Sequence, residues 1–383
     1  MIPLSVPNLN GNEKKYVMDA LEGGWVSTAG SYVTRFEQDI NAYLKTCDAV
    51  ALQSGTAALH LALKLSGVSE GDEVIVPTLT FIAAVNPVKY LGAEPIFMDC
   101  DDSLTMDCDK VEDFLKNQCE RTKSGVRNKQ TKRYVKGIVV VHVFGNMANM
   151  VRFREIADQY DIKLIEDATE ALGTHYYEEY DNGSYAGTIG DFGAYSFNGN
   201  KIITTGGGGM LVAKDKKNVE KARYYSMQAK DDPILYVHND VGYNYRMTNL
   251  QAALGVAQLE QLEGFIDIKE KHYHEYLKLF TGSDGFLLPF HSNARNNYWL
   301  YTFDFHNAVA TKDTIMKRCK ENGIETRPIW KLIHTQRMYQ NNQSYYIDKA
   351  FTYWNHCINI PSSTNLTSED ITYISQVCKQ ALL

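Results

Sequence analysis

The stretch DAVALQSGTAALHLALKLSGVSEGDEVIVP (48–77) decides the fold. DAVALQ (48–53) is an apolar run of strand length. SGTAALHLALKLSG (54–67) reads as a turn followed by a helix that Gly67 closes. EVIVP (73–77) is a second apolar strand. Strand, helix and strand in so short a span form a right-handed βαβ unit.

The same alternation continues outward. FIAAVNPVKYLG (81–92) and MVRFREIADQY (150–160) have helical patterns. EPIFMD (94–99), GIVVVHVF (137–144) and KLIEDA (163–168) are further strands. Apolar strands alternating with amphipathic helices predict an α/β domain on a mostly parallel, mixed, seven-stranded sheet. Such sheets bind ligands beyond the carboxyl ends of their strands.

The texture changes near residue 248. NLQAALGVAQLEQLEGFIDIKEKHYHEYLKLF (249–280) is one long helical pattern with room for a break. Beyond it come a strand at WLYTFDF (299–305), a helix at TKDTIMKRCKENG (311–323), a strand at IETRP (324–328) and a helix at TSEDITYISQVCKQAL (367–382). The division predicted is a large domain over 1–248, then a connecting helix and a small α+β domain over 249–383.

Bulk composition excludes several classes. The 383 residues are 44% hydrophobic and 22% charged, with net charge −7, which disfavours a nucleic-acid binder. RTKSGVRNKQTKRYVK (121–136) is a basic exception, expected as a solvated loop between a helix and a strand. No apolar run reaches membrane-spanning length, and the N-terminus does not read as a signal peptide, so the cytoplasm is expected. The seven cysteines, Cys47, Cys100, Cys108, Cys119, Cys319, Cys357 and Cys378, form no CxxC. Reduced thiols and no metal site are expected.

Three features carry chemistry. SGTAAL (54–59) puts a small polar turn at a helix N-terminus, where amides and the Ser54 and Thr56 hydroxyls can hold a phosphate; it also reads as a plain helix cap. In IEDATEALG (165–173), Asp167 ends an apolar strand. It reads as a partner for a protonated ring nitrogen or as a helix N-cap. In DFGAYSFNGNKIITTGGGGMLV (191–212), Lys201 lies in a polar turn before four glycines. Desolvation there would free its amine as a nucleophile, whereas a surface loop would not. The turn is not a Walker A loop, since Asn200 precedes and Ile202 follows the lysine, and no GxGxxG follows the first strand. A phosphate turn, an acidic strand end and a lysine, in that order, are the set that pyridoxal 5′-phosphate (PLP) requires.

With these motifs, together with PTLTFIAAVNPV, YNYRMTNLQAALGVAQLEQL and IETRPIW, the chain resembles the DegT-type nucleotide-sugar aminotransferases, fold-type I PLP enzymes, over nearly its whole length. The resemblance implies that Lys201 holds the cofactor as a Schiff base and that Asp167 partners its pyridine nitrogen. Gly55, Thr56 and Ser196 would contact its phosphate, and Phe81 would stack on its ring. Glu170 stands where the family often has glutamine beside the ring hydroxyl. Asn244 would reach the phosphate of a neighbouring subunit, implying a homodimer with shared active sites. NGNKIITTGGGGM and IETRPIWKLIHTQ are most similar to enzymes that aminate C4 of a UDP-linked 4-keto-6-deoxy-N-acetylhexosamine with L-glutamate. Their product is a precursor of bacillosamine or legionaminic acid. Trp25, Arg246, Arg327, Trp330 and His334 are candidate substrate contacts. The rival readings are C3 or C4 amination of a dTDP- or GDP-keto sugar, a PLP dehydratase, and a non-catalytic binder. The dehydratase branch carries histidine at the lysine position, so Lys201 argues against it.

Overall fold

The computed structural model describes residues 1–46 and 48–382, so Cys47 lies outside the described residues. Its large sheet has strands β1 (Ala49–Leu52), β2 (Glu73–Pro77), β3 (Glu94–Met98), β4 (Val135–Val141), β5 (Lys163–Asp167), β6 (Phe192–Ser196), β7 (Gly209–Ala213) and β8 (Ser344–Tyr345). Their order is β1-β7-β6-β5-β4-β2-β3-β8. Only β7 runs antiparallel to its neighbours. The expected seven strands gain an eighth, a two-residue strand that the C-terminal half lays along the β3 edge. Two residues are too few to show a period, so the sequence pattern could not reveal it.

Alternate side chains of each strand enter two cores. Ala51, Ile75, Ile138, Leu164 and Met210 pack on one face, while Leu52, Val74, Val139, Ile165 and Leu211 pack on the other. The carboxyl ends of β1, β4, β5 and β6 meet the start of β7 at one edge. There Leu52 and Ser196 both pair with Gly209, and Asp167 pairs with Val141 and Ala194.

The long helical pattern breaks once, into Asn249–Leu259 and Leu262–Phe280, and a Thr248–Gln251 capping box opens the first segment. A four-stranded antiparallel sheet of Phe286–Leu287, Tyr301–Asp304, Cys357–Ile360 and Arg327–Pro328 forms the core of the C-terminal region. The expected strand 324–328 contracts to its last two residues, while Ile324 bridges Ile2.

Packing crosses residue 248 in both directions. Ala252, Val256 and Ile266 join the core of Phe36 and Ile40, and Ile333 and Tyr339 join that of Leu59 and Val76. The basic segment is not simply a loop: Cys119–Thr122 and Gly125–Asn128 form a hairpin in which Arg127 pairs with Glu120 at 2.8 Å. Cys100, Cys108, Cys119, Cys319, Cys357 and Cys378 are free thiols. Among the described residues no helix is long and apolar enough to cross a membrane.

Candidate active site

A cleft of about 360 Å³ opens at the edge where the parallel strands end. Its floor begins with the helix Gly55–Leu65. Ser54 caps that helix, its Oγ accepting the Ala57 N–H at 3.1 Å. The amides of Gly55 and Thr56 precede the first intrahelical bond and stay available at the positive end of the helix dipole. Close approach explains the glycines here. A Cβ on Gly55 would lie 2.8 Å from Thr169 Cγ2, and one on Gly209 would lie 2.4 Å from the Ser54 carbonyl. The turn is thus wedged between β6 and β7, with the Ser196 side chain beside it.

Asp167 and Glu170 form the acidic side. Asp167 is buried and accepts from Thr169, from its N–H at 3.0 Å and from its side chain, while burial pushes its carboxyl above the usual range. Glu170 is buried too. Its Oε2 accepts the Phe144 N–H at 2.8 Å, its Oε1 lies 3.6 Å from Lys201 Nζ, and burial pushes its carboxyl up to about 7. Lys201 has a side chain only 12% exposed. An amine and two under-partnered carboxyls in one recess form a donor set suited to a ligand with a cationic ring and an electrophilic carbon.

Aromatic rings line the opposite wall. Phe144 and Trp330 are 4.6 Å apart, Phe81 and Trp330 6.3 Å, and Phe144 and Trp299 6.3 Å. Phe81 is 53% exposed, so its ring is available to a planar ligand.

The cleft therefore gathers Gly55, Thr56, Phe81, Asp167, Glu170, Ser196, Lys201 and Trp330 from the sequence candidates. The remaining candidates lie off its lining. The Arg246 guanidinium is spent inside the chain, bonded to Glu37 at 2.5 Å and to the Ala51 carbonyl at 3.2 Å, where it braces the end of β1. Arg327 pairs with Glu325. His334 Nδ1 bonds Thr78 Oγ1 at 2.6 Å. Trp25 is exposed, with its carbonyl accepting Asn249 Nδ2 at 2.7 Å, and Asn244 is also exposed. Trp299 and Asn297 were not foreseen. Trp299 stood at the start of a predicted strand, and no local pattern shows that its ring reaches Lys201.

The DegT/DnrJ/EryC1/StrS aminotransferase family matches over residues 7–379. EpsN of Bacillus subtilis, assigned as a pyridoxal phosphate-dependent aminotransferase, is 36% identical over 375 residues, covering 96% of this chain and 92% of that protein. GDP-perosamine synthase of Escherichia coli O157:H7 is 36% identical over 379 residues, covering 98% and 97%. Among solved structures, Spr1654 of Streptococcus pneumoniae in its PLP form, assigned as a sugar aminotransferase, gives a TM-score of 0.87 at 25% identity, covering 99% of this chain and 98% of that one.

Proposed function

Since this chain belongs to the DegT/DnrJ/EryC1/StrS aminotransferase family and takes pyridoxal 5′-phosphate as its cofactor, we propose that it moves the amino group of L-glutamate to C4 of a UDP-linked 4-keto-6-deoxy-N-acetylhexosamine. The product is UDP-4-amino-4,6-dideoxy-N-acetylglucosamine, made in the cytoplasm for surface glycans. The observation that carries the reading is the placing of Lys201, Asp167 and the free helix N-terminus around one cleft.

The residues present fit the cofactor. The Gly55 and Thr56 amides with the Thr56 and Ser196 hydroxyls would hold its phosphate, where a side chain on residue 55 or 209 would intrude. Asp167 would keep its ring nitrogen protonated, Glu170 would lie by its ring hydroxyl, and Phe81 would cover its face. Lys201 would carry it covalently. When bound, pyridoxal phosphate supplies an electron sink for the carbanion formed at the amino-bearing carbon.

The chain supplies the proton handling. Lys201 Nζ takes the α-proton of glutamate, and in the second half-reaction delivers a proton to C4 of the sugar. Glu170, poised to titrate near neutrality, holds or releases a proton 3.6 Å from that amine. In a homodimer the exposed Asn244 would complete a neighbour's phosphate site.

The UDP sugar is supported by the likeness of NGNKIITTGGGGM and IETRPIWKLIHTQ noted above. A GDP-linked 4-keto sugar is the second reading, favoured by relatives named GDP-perosamine synthase at 34–36% identity. The test is 2-oxoglutarate release from L-glutamate with a panel of UDP-, GDP- and dTDP-linked 4-keto sugars. The highest kcat/KM is expected for the UDP-N-acetyl sugar, and a higher value for a GDP sugar would establish the second reading. Lys201→Ala should abolish turnover with every member of the panel. Retained activity in that variant would end the assignment.

A further inference from the structure

Resting on the reading of Lys201 as the reacting amine, we infer that Trp299 is a further catalytic residue and that Lys269 is the residue that positions it. Lys201 Nζ lies 4.0 Å from the centroid of the Trp299 ring, a cation–π separation. The indole Nε1 donates to the carbonyl of Asn200, the residue before Lys201, at 2.7 Å. One side chain thus holds both the amine and the turn that carries it.

Its own backbone is fixed on both sides. The Trp299 N–H donates to Asn297 Oδ1 at 3.0 Å. Asn297 Nδ2 in turn donates to the carbonyls of Glu170 and Leu172 at 2.8 and 3.0 Å. The indole is therefore placed relative to the same acidic segment that faces the amine. The Trp299 carbonyl accepts Lys269 Nζ at 3.0 Å and Ser362 Oγ at 2.9 Å.

Lys269 is buried within Leu262–Phe280, also donates to the Ser362 carbonyl, and pairs with no carboxylate among the described residues. A buried ammonium without a counter-charge disfavours folding. A methionine would fill the volume without that cost, but it could not hold the Trp299 carbonyl.

The chemistry follows from the geometry. When the C–H bond of the substrate breaks, an N–H bond forms on Lys201 and its nitrogen becomes cationic. The indole face stabilises that charge and exchanges no atoms. Glu170 Oε1, the carboxylate that faces the amine, stands 3.6 Å away, so the proton can return from Lys201 to carbon.

The test uses the holoenzyme with L-glutamate alone, following loss of the visible absorption band, the visible circular dichroism of the bound cofactor, and the melting temperature. Trp299→Leu should slow the half-reaction roughly ten- to thirtyfold with the half-saturating glutamate concentration changed by no more than about twofold. Trp299→Phe keeps a π-face and should recover to within about threefold of wild type. Lys269→Met should slow the reaction and weaken the visible circular dichroism without lowering the melting temperature. On the Trp299→Leu background it should add no more than about twofold.

Wild-type rate and dichroism in Trp299→Leu would overturn the role of Trp299. So would a Phe variant no better than Leu, with both melting lower. Wild-type behaviour in Lys269→Met, or full additivity, would overturn the positioning role. Should Trp299→Leu not fold, Lys269→Met decides: slower turnover with weakened dichroism at unchanged melting temperature supports the inference, and wild-type values overturn it. A Lys201→Ala protein that still loses its band with glutamate sinks the underlying reading instead. A dead Lys201→Ala beside wild-type Trp299 variants sinks this inference alone.

Discussion

Glu166 and Asp167 are consecutive residues of β5, but one belongs to the core and the other to the cleft. Strand alternation sends their side chains to opposite faces. Glu166 accepts the N–H groups of Gly187, Ile189 and Gly190 at 2.8, 2.6 and 2.5 Å. It also meets His142 Nε2 at 2.9 Å, while His142 Nδ1 accepts the Ala148 N–H at 3.1 Å, placing the ring proton on Nε2. The fold completes this carboxylate by itself. Asp167 accepts from the amide and side chain of one residue, Thr169, and Glu170 accepts one amide and faces Lys201. Buried carboxyls that the chain satisfies are structure; those it leaves short await a partner from outside.

The largest effect that sharpens this contrast is on catalysis. Asp167→Asn should lower kcat on the order of a thousandfold, equivalent to about 4 kcal/mol, without lowering the melting temperature of the cofactor-free chain. Glu166→Gln should do the reverse, losing about 3 kcal/mol of stability in urea unfolding with kcat per folded molecule nearly unchanged. Equal stability losses in the two variants would break the distinction.

The smallest effect is a pH dependence at Glu170. Burial raises its carboxyl from 4.5 to about 7 in the folded chain. A raised folded value contributes stability that is fully present below about 4.5 and lost as pH rises through about 7. Between pH 5.5 and 8.5 the cofactor-free wild type should therefore lose about 2 kcal/mol more than Glu170→Gln. Parallel curves for the two proteins would remove Glu170 from the set of under-partnered groups.

The floor of the cleft was legible because it is written locally. A small turn before a helix, an acid at the end of an apolar run and a lysine before four glycines are each contained in a few residues. The wall was not. Trp299 meets Asn200 across the C-terminal boundary, and Asn297 meets Glu170, through contacts with no local period. Charged candidates stand off the cleft lining for a related reason: Arg246, Arg327 and His334 look available in sequence, but the fold gives them Glu37, Glu325 and Thr78. A charge shows in the sequence, whereas its partner is fixed by tertiary packing. The hairpin at 119–128 was hidden because its basic residues dominated the composition of the segment.

The late arrival of β8 bears on how the protein is made. The Phe97 N–H bonds the Gln343 carbonyl at 2.9 Å, and β8 covers the outer edge of β3. On the ribosome that edge has no native partner until residue 343 emerges, an interval on the order of tens of seconds at ~5–20 residues per second. An open strand edge is a template for pairing with another chain. Translation slowed in the last third of the message would lengthen that exposure, so yield in a cell depends on elongation there as well as on the stability of the finished fold.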